Sequence, residues 1–411
     1  MSAWNPDAIR TLLLYSQDRR GLGHINRTLT IARHILAAYP NFVAYIATRS
    51  TIAGNFTIPE RCDYIKLPTR LTPVTVQRSE ENDAVSNVHF IKLRAQILRD
   101  AALMLSPDLV LVDHEPLGSL GEFRDGLYAL KAQCPATKFV FGLRDIMDDE
   151  KRIRAEWQEM GVYDALENLY DGIAVYGSPN LYDVAQAYAI PTSVRHKLHY
   201  CGYITRQRPA CDAAALREQY GLPPNGPLVL ATVGSGFDGF PVLEASMRAL
   251  KCLKGRFPGL AALVVTGPLM PVADQSALQA QATPWCRVLS RADNFQLMGA
   301  ADAIVGMGGY NSVCEALVTA RPLVIVPRAT HKIEQQIRAE TLAAQGLARW
   351  VHPKHLDGDK LVKALEWALG CDRQALARRI AGVIPSFNGA ARLTEHLSRW
   401  LDGREQPENK N

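Results

Sequence analysis

Two successive series of short buried runs constrain this chain more than any other feature. In the first series, residues 11–16 (TLLLYS), 42–47, 108–113 (DLVLVD), 138–143 and 172–176 are apolar and rich in β-branched or aromatic residues. They lack the polar alternation of a half-exposed strand, so both faces must be covered, as in a parallel sheet. Segments 27–38 and 92–105 between them have helical spacing. The pattern restarts at 228–233, 261–266, 287–289, 302–305 and 323–326, with helices expected at 245–256 and 312–319.

Between the series lies a stretch, 201–227, in which Pro209, Gly221, Pro223, Pro224, Gly226 and Pro227 cluster around a helix-like piece at 213–220. It reads as a linker or hinge. With 411 residues, the chain is long for one core and suits two domains. The expected fold is α/β: two Rossmann-like domains facing each other across a cleft. The boundaries read as 1–205, a linker at 206–226, 227–385, and a terminal helical segment 386–411 that packs back on the first domain.

Composition excludes several classes. Hydrophobic residues make up 47% and charged residues 21%, which argues against disorder. The net charge of +5 is spread along the chain, so nucleic acid is not an expected partner. Eight Cys form no C-x-x-C pair, which points to a reducing compartment. Residues 1–10 do not read as a signal peptide, and no apolar run reaches the roughly 20 residues needed to span a bilayer. A cytoplasmic location is expected, with peripheral contact at the inner membrane face left open.

Four constellations carry chemistry. Gly21-Leu22-Gly23-His24-Ile25-Asn26-Arg27 follows the first run and opens a helix. It lacks the third Gly of a dinucleotide fingerprint. His24, with an ordinary pKa near 6.5, suits general-base work. Gly234-Ser235-Gly236 follows the first strand of the second series and could cradle a diphosphate on backbone N–H groups. Gly308-Gly309-Tyr310-Asn311-Ser312-Val313-Cys314-Glu315 joins a strand to a helix whose start favours phosphate. Glu315, one turn inside, can accept two hydrogen bonds from ribose hydroxyls. His331-Lys332-Ile333-Glu334-Gln335-Gln336 follows the next strand, where Glu334, Gln335 and Gln336 can read sugar hydroxyls. In the first series, Asp113-His114-Glu115 and Arg144-Asp145 end buried runs and should face the cleft. Asp113 is placed to orient His24.

Together these motifs resemble the MurG-like glycosyltransferases, the UDP-N-acetylglucosamine transferase family. The resemblance runs through both domains and is densest at 301–336, where G-G-Y-N-S-V-C-E is followed by H-K-x-x-Q-Q. The chain is similar also to uncharacterised bacterial glycosyltransferases that carry G-L-G-H-x-x-R.

The resemblance implies a GT-B fold and an inverting transfer without metal or cofactor, from a nucleotide-sugar, UDP favoured, to a hydroxyl acceptor. It gives the diphosphate to Gly234–Gly236 and the helix start at 309–312, the ribose to Glu315, and the donor sugar to Gln335 and Gln336. His331 and Glu334 fall within the same donor set. It makes His24 the base and Asp113 its helper. Gly23, Arg27, His114, Glu115, Arg144 and Asp145 fall on the acceptor side. The loop at 113–118 departs from the family's acceptor region, so a lipid-linked muramyl-pentapeptide is not the expected acceptor. A natural product, another lipid-linked sugar or a polysaccharide precursor stays open. Two other readings share the fold. One is a UDP-sugar 2-epimerase using Asp113, Glu115 and Asp145. The other is a non-catalytic nucleotide-sugar-binding subunit.

Overall fold

A computed structural model describes residues 8–17, 23–50, 53–69, 80–328, 333–356 and 358–402. The first sheet has seven strands: β1 (Arg10–Ser16), β2 (Phe42–Thr48), β3 (Cys62–Lys66), β4 (Leu109–Asp113), β5 (Lys138–Arg144), β6 (Gly172–Tyr176) and β7 (Leu198–Tyr200). The second has six: β8 (Leu228–Thr232), β9 (Ala261–Val265), β10 (Cys286–Leu289), β11 (Ala303–Gly306), β12 (Leu323–Ile325) and β13 (Arg349–Trp350). Among the described residues, every pairing between these strands is parallel. The orders are β3-β2-β1-β4-β5-β6-β7 and β10-β9-β8-β11-β12-β13. Each reverses direction once, between β1 and β4 and between β8 and β11. In open parallel sheets the crevice at such a reversal, outside the strands' carboxyl ends, is where ligands sit.

The strands found from apolar runs lie within a residue or two of their expected ends. β4, β6, β8 and β9 are buried at every position. β3, β7 and β13 escaped detection because each is partly exposed and short, and all three sit at sheet edges. The helix expected at 92–105 begins earlier, as Glu80–Leu105.

Two chain crossings join the halves and lie side by side. Tyr203 N donates to Ser386 O at 3.0 Å and Gly389 N to Tyr203 O at 2.9 Å. Ile204 and Asn388 form an antiparallel bridge. Gly202, at φ 86°, is required here, because a Cβ would lie 2.6 Å from Ser386 O. The segment between the halves is not loose. Asp212 caps the helix Ala213–Gln219, and Leu216 and Leu222 are buried with Leu228 and Leu230 of β8. After the second crossing, the helix Gly389–Asp402 packs against Gly23–Ala38 of the first half. Tyr39 Oη donates to Thr394 O at 3.2 Å, and the Trp400 indole lies against Gly172. Among the described residues no helix is long and apolar enough to cross a membrane.

Candidate active site

Helix Gly23–Ala38 is the next described element after β1, and neighbouring β4 ends at Asp113. His24 and Arg27 are three residues apart on one helix face, so both reach that strand end. His24 Nδ1 lies 2.8 Å from Asp113 Oδ2. Arg27 donates to both oxygens of the same carboxylate, Nε to Oδ1 at 2.9 Å and a terminal nitrogen to Oδ2 at 2.6 Å. The same terminal nitrogen lies 2.9 Å from His24 Nδ1. An unprotonated Nδ1 would face the carboxylate with a lone pair. The favourable tautomer therefore has Nδ1–H donating to Asp113 and leaves Nε2 as the basic atom.

Asp113 is fully buried, while His24 keeps 20% of its side chain exposed. Burial pushes the His24 pKa down to about 4, with Arg27 adding to the effect against the pull of Asp113. Burial alone would raise Asp113, but the adjacent Arg27 charge and the His24 hydrogen bond hold it down at about 2. At neutral pH the imidazole is neutral and the carboxylate ionised.

His114 is buried in a left-handed conformation, φ 70°, directly after β4. Such strain in a non-glycine residue costs roughly 1–3 kcal/mol and gathers at functional sites. It brings the His114 ring to 4.9 Å from that of His24. Arg144 lies 3.3 Å from His114 Nε2 and donates to Glu334 Oε2 at 2.7 Å, across the boundary between the halves. Glu115 is half-buried beside them. Asp145 departs from its expected place on an acceptor surface. It is fully buried, accepts from Ile146 N at 2.7 Å and pairs with the Tyr203 hydroxyl. Arg27 likewise is buried and spent on Asp113, because a bare carboxylate there would be costly.

From the second half come two backbone cradles. Gly234 and Gly236 have φ of 65° and 93°, and a Cβ on Gly236 would lie 2.1 Å from Thr266 O. Ser235 is half-buried between them. Gly308, φ 80°, leads to Gly309, which precedes the helix Tyr310–Val318 without a side-chain cap. The first N–H groups of that helix are thus open to an acceptor oxygen. Asn311 Nδ2 donates to Gly23 O at 3.1 Å, so the two helix starts meet, with half-buried Ser312 next to it. Glu315 is 14% exposed and accepts from Arg206 Nε at 2.9 Å. Burial raises its pKa, and Arg206 opposes the rise. A small cavity between the halves is lined by Asn26, Thr30, Thr205, Arg206, Asn311 and Glu315.

Three side chains of the expected donor set turn elsewhere. Tyr310 is buried, and its hydroxyl donates to Tyr176 O at 3.1 Å and accepts from Ile204 N at 3.2 Å. Gln335 is buried, with its carbonyl oxygen accepting from Arg328 N at 2.9 Å. Gln336 donates to Glu340 on its own helix at 2.9 Å. Only the Tyr310 backbone faces the cradle. His331 lies outside the described residues, as do Gly21, Leu22 and positions 70–79.

Residues 229–381 match the family model of the glycosyltransferase family 28 C-terminal domain. A protein described as an uncharacterized glycosyltransferase of Methanopyrus kandleri is 26% identical over 46% of this chain and 52% of its own length. Another, from Methanosarcina acetivorans, is 23% identical over 80% of this chain and 82% of its own. Among solved structures, the calicheamicin glycosyltransferase CalG4 superimposes with TM-score 0.66 at 16% identity, covering 97% of this chain and 100% of that one. A UGT from Siraitia grosvenorii in complex with UDP gives 0.59 at 13% identity, over 95% and 100%. MurG of Acinetobacter baumannii gives 0.58 at 14% identity, over 96% and 100%.

The match to the family 28 model falls within the second half. In fold the chain is GT-B, and it resembles the MurG-like glycosyltransferases. The matched region holds the Gly234–Gly236 loop, the helix start and Glu315. Sequence reasoning missed Arg206, because it stands in a Pro- and Gly-rich stretch that read as a connector. It missed Tyr176 and Arg338 because each lies in a segment that reads as ordinary strand or helix. Arg338 donates to Gly308 O at 2.8 Å and to Ile146 O at 3.1 Å, joining the two halves.

Proposed function

We propose that this glycosyltransferase moves a hexose or N-acetylhexosamine from a nucleotide-sugar, most favourably a UDP-sugar, to a hydroxyl acceptor, with inversion and without a metal. The observation that carries this reading is the meeting of the His24–Asp113 pair with the uncapped helix start at Tyr310, through the Asn311–Gly23 contact. A base and an oxyanion-stabilising N–H set are thereby held on opposite sides of one cleft.

His24 Nε2 takes the proton of the acceptor hydroxyl. The hydroxyl oxygen forms its bond to the anomeric carbon as the bond from that carbon to the diphosphate oxygen breaks. The charge that grows on the diphosphate is met by the N–H groups at 309–312 and 234–236. One displacement inverts the anomeric centre. Glu315 holds the ribose, released from Arg206 or together with it. UDP is favoured by the bound nucleotide of the Siraitia grosvenorii UGT and by the family resemblance. An epimerase would need further acid/base carboxylates in the cleft; Asp145 is buried and engaged elsewhere, which leaves Glu115 as the candidate for that reading.

Calorimetric titration with UDP, dTDP, GDP and NAD, for the wild type and Glu315→Ala, tests the donor assignment. Selective UDP binding that Glu315→Ala weakens by roughly tenfold, about 1.4 kcal/mol, is the expected result. Binding of NAD alone, or of no nucleotide, overturns it. Detecting isomerisation of a UDP-sugar without an acceptor would move the reading to the epimerase.

A further inference from the structure

The Asp113 carboxylate is shared between two partners. In a simple base–carboxylate pair the acid serves the imidazole alone, but here Arg27 takes both oxygens. The Arg27 guanidinium is itself enclosed. It lies 5.6 Å from the ring centroid of Tyr176, at the end of β6, and 5.3 Å from that of Tyr310, in the other half of the molecule. Tyr310 is fixed there by its hydroxyl, which bonds Tyr176 O and Ile204 N. A movement of the second domain away from the first would lift the Tyr310 ring off Arg27.

We infer that Arg27 is a positioning residue, seated by Tyr310 across the domain boundary, which sets the Asp113–His24 pair in working geometry only while the domains are docked. The chemistry it serves rests on the transferase reading above, whereas the positioning rests on contacts alone.

A planar fork bonded at two points stops the carboxylate from rotating, which a point charge cannot do. With Asp113 fixed, Oδ2 stays on Nδ1–H and the basic lone pair stays on Nε2. The same cation disfavours a second positive charge beside it, so the resting ring stays neutral with its Nε2 lone pair free, at the expense of some basicity. The charged and titratable groups facing His24 are Asp113 and His114 at the end of β4, Arg144 at the end of β5, and Arg27 on its own helix. Removing the Tyr310 ring admits water to the guanidinium and weakens its hold, since cation–π contacts matter most when desolvated.

The test follows the His24 ring signals of the full-length protein by NMR across pH, assigned with His24→Gln, in wild type, Arg27→Lys, Arg27→Met and Tyr310→Ala. The wild-type ring is expected to titrate far below pH 6.5 as the Nδ1–H tautomer. Arg27→Met should raise the midpoint by about one unit or more. Arg27→Lys should keep the charge but mix the tautomers, and Tyr310→Ala should shift the midpoint upward with every first-domain residue intact. With a donor and acceptor in hand, Arg27→Lys should lower kcat roughly 10–100-fold and leave donor KM within about threefold. If Arg27→Met does not fold, the other two variants decide. Unchanged His24 signals in Arg27→Lys overturn the positioning role. A shift in the Arg27 variants with none in Tyr310→Ala overturns the link to docking. The NMR readout needs no substrate. Shifted signals in a protein that transfers no sugar would count against the transferase reading and leave the positioning standing.

Discussion

At the scale of single residues, the proposed base is set apart by how little free charge its surroundings tolerate. His24 should be unprotonated well below the ordinary imidazole range, since its pKa is held at about 4. Between pH 5 and 8, kcat/KM should therefore show no acid limb near 6.5. A limb found there, and lost in His24→Gln, would mean that the ring is better hydrated than its contacts imply. His24→Ala should reduce kcat by about 10²–10⁴ and leave UDP affinity within about twofold, because the proposed function puts His24 on the acceptor and not on the nucleotide. Equal losses in both would remove it from the base role. Gly236 is a residue-scale test of the opposite cradle. At φ 93° with a carbonyl 2.1 Å from any Cβ, Gly236→Ala must distort the loop. A loss of roughly 1–3 kcal/mol in chemical denaturation is expected, together with weaker UDP binding.

At the scale of elements, the sequence disclosed what repeats and hid what is local. Strands buried on both faces announce themselves by unbroken apolar runs, and β1, β4, β6, β8 and β9 were readable for that reason. The short edge strands β3, β7 and β13 carry mixed polarity, which single-strand patterning cannot tell from loop. The glycines of the two cradles were readable because close backbone approach leaves few substitutes. The fates of Tyr310, Gln335 and Asp145 were not, since a motif places a residue on a loop and packing decides which way its side chain turns.

The terminal helix shows the same limit. His396 on Gly389–Asp402 stacks on His199 of β7 with ring centroids 3.7 Å apart, a contact no local pattern encodes. Burial lowers both pKa values to about 4, with neighbouring charges such as Arg399 adding to the shift. Both rings are neutral in the fold where the unfolded chain, titrating near 6.5, binds protons. Their contribution to stability is thus complete above about pH 6.5 and is lost as pH falls from there toward 4. The urea midpoint should decline between pH 7 and 5, and His396→Phe should flatten that decline. An unaltered slope in the variant would place the pH dependence in other groups.

At the scale of the whole molecule, the two halves are joined by more than their two crossing segments. Arg144 meets Glu334, Asp148 accepts from Ile333 N at 3.0 Å, and Arg338 reaches carbonyls in both halves. These polar ties surround the site, so docking and site assembly are one event in this arrangement. Arg338 is the most exacting of them. It is almost fully buried, and its two donors serve Gly308 O, just before the helix Tyr310–Val318, and Ile146 O, two residues after Arg144. Arg338→Met would keep much of the stem's packing and leave both carbonyls without that donor. Each buried carbonyl left without its donor costs about 1–3 kcal/mol. Because the loss falls on the boundary and not on either core, it should uncouple the halves. Calorimetry of the wild type should show one unfolding transition, and of Arg338→Met two, with the lower one insensitive to UDP if it belongs to the first half. UDP stabilises by mass action only the unit that binds it. A single transition merely shifted downward would mean that the crossings at Gly202 and Ser386, with the terminal helix, hold the domains together without Arg338.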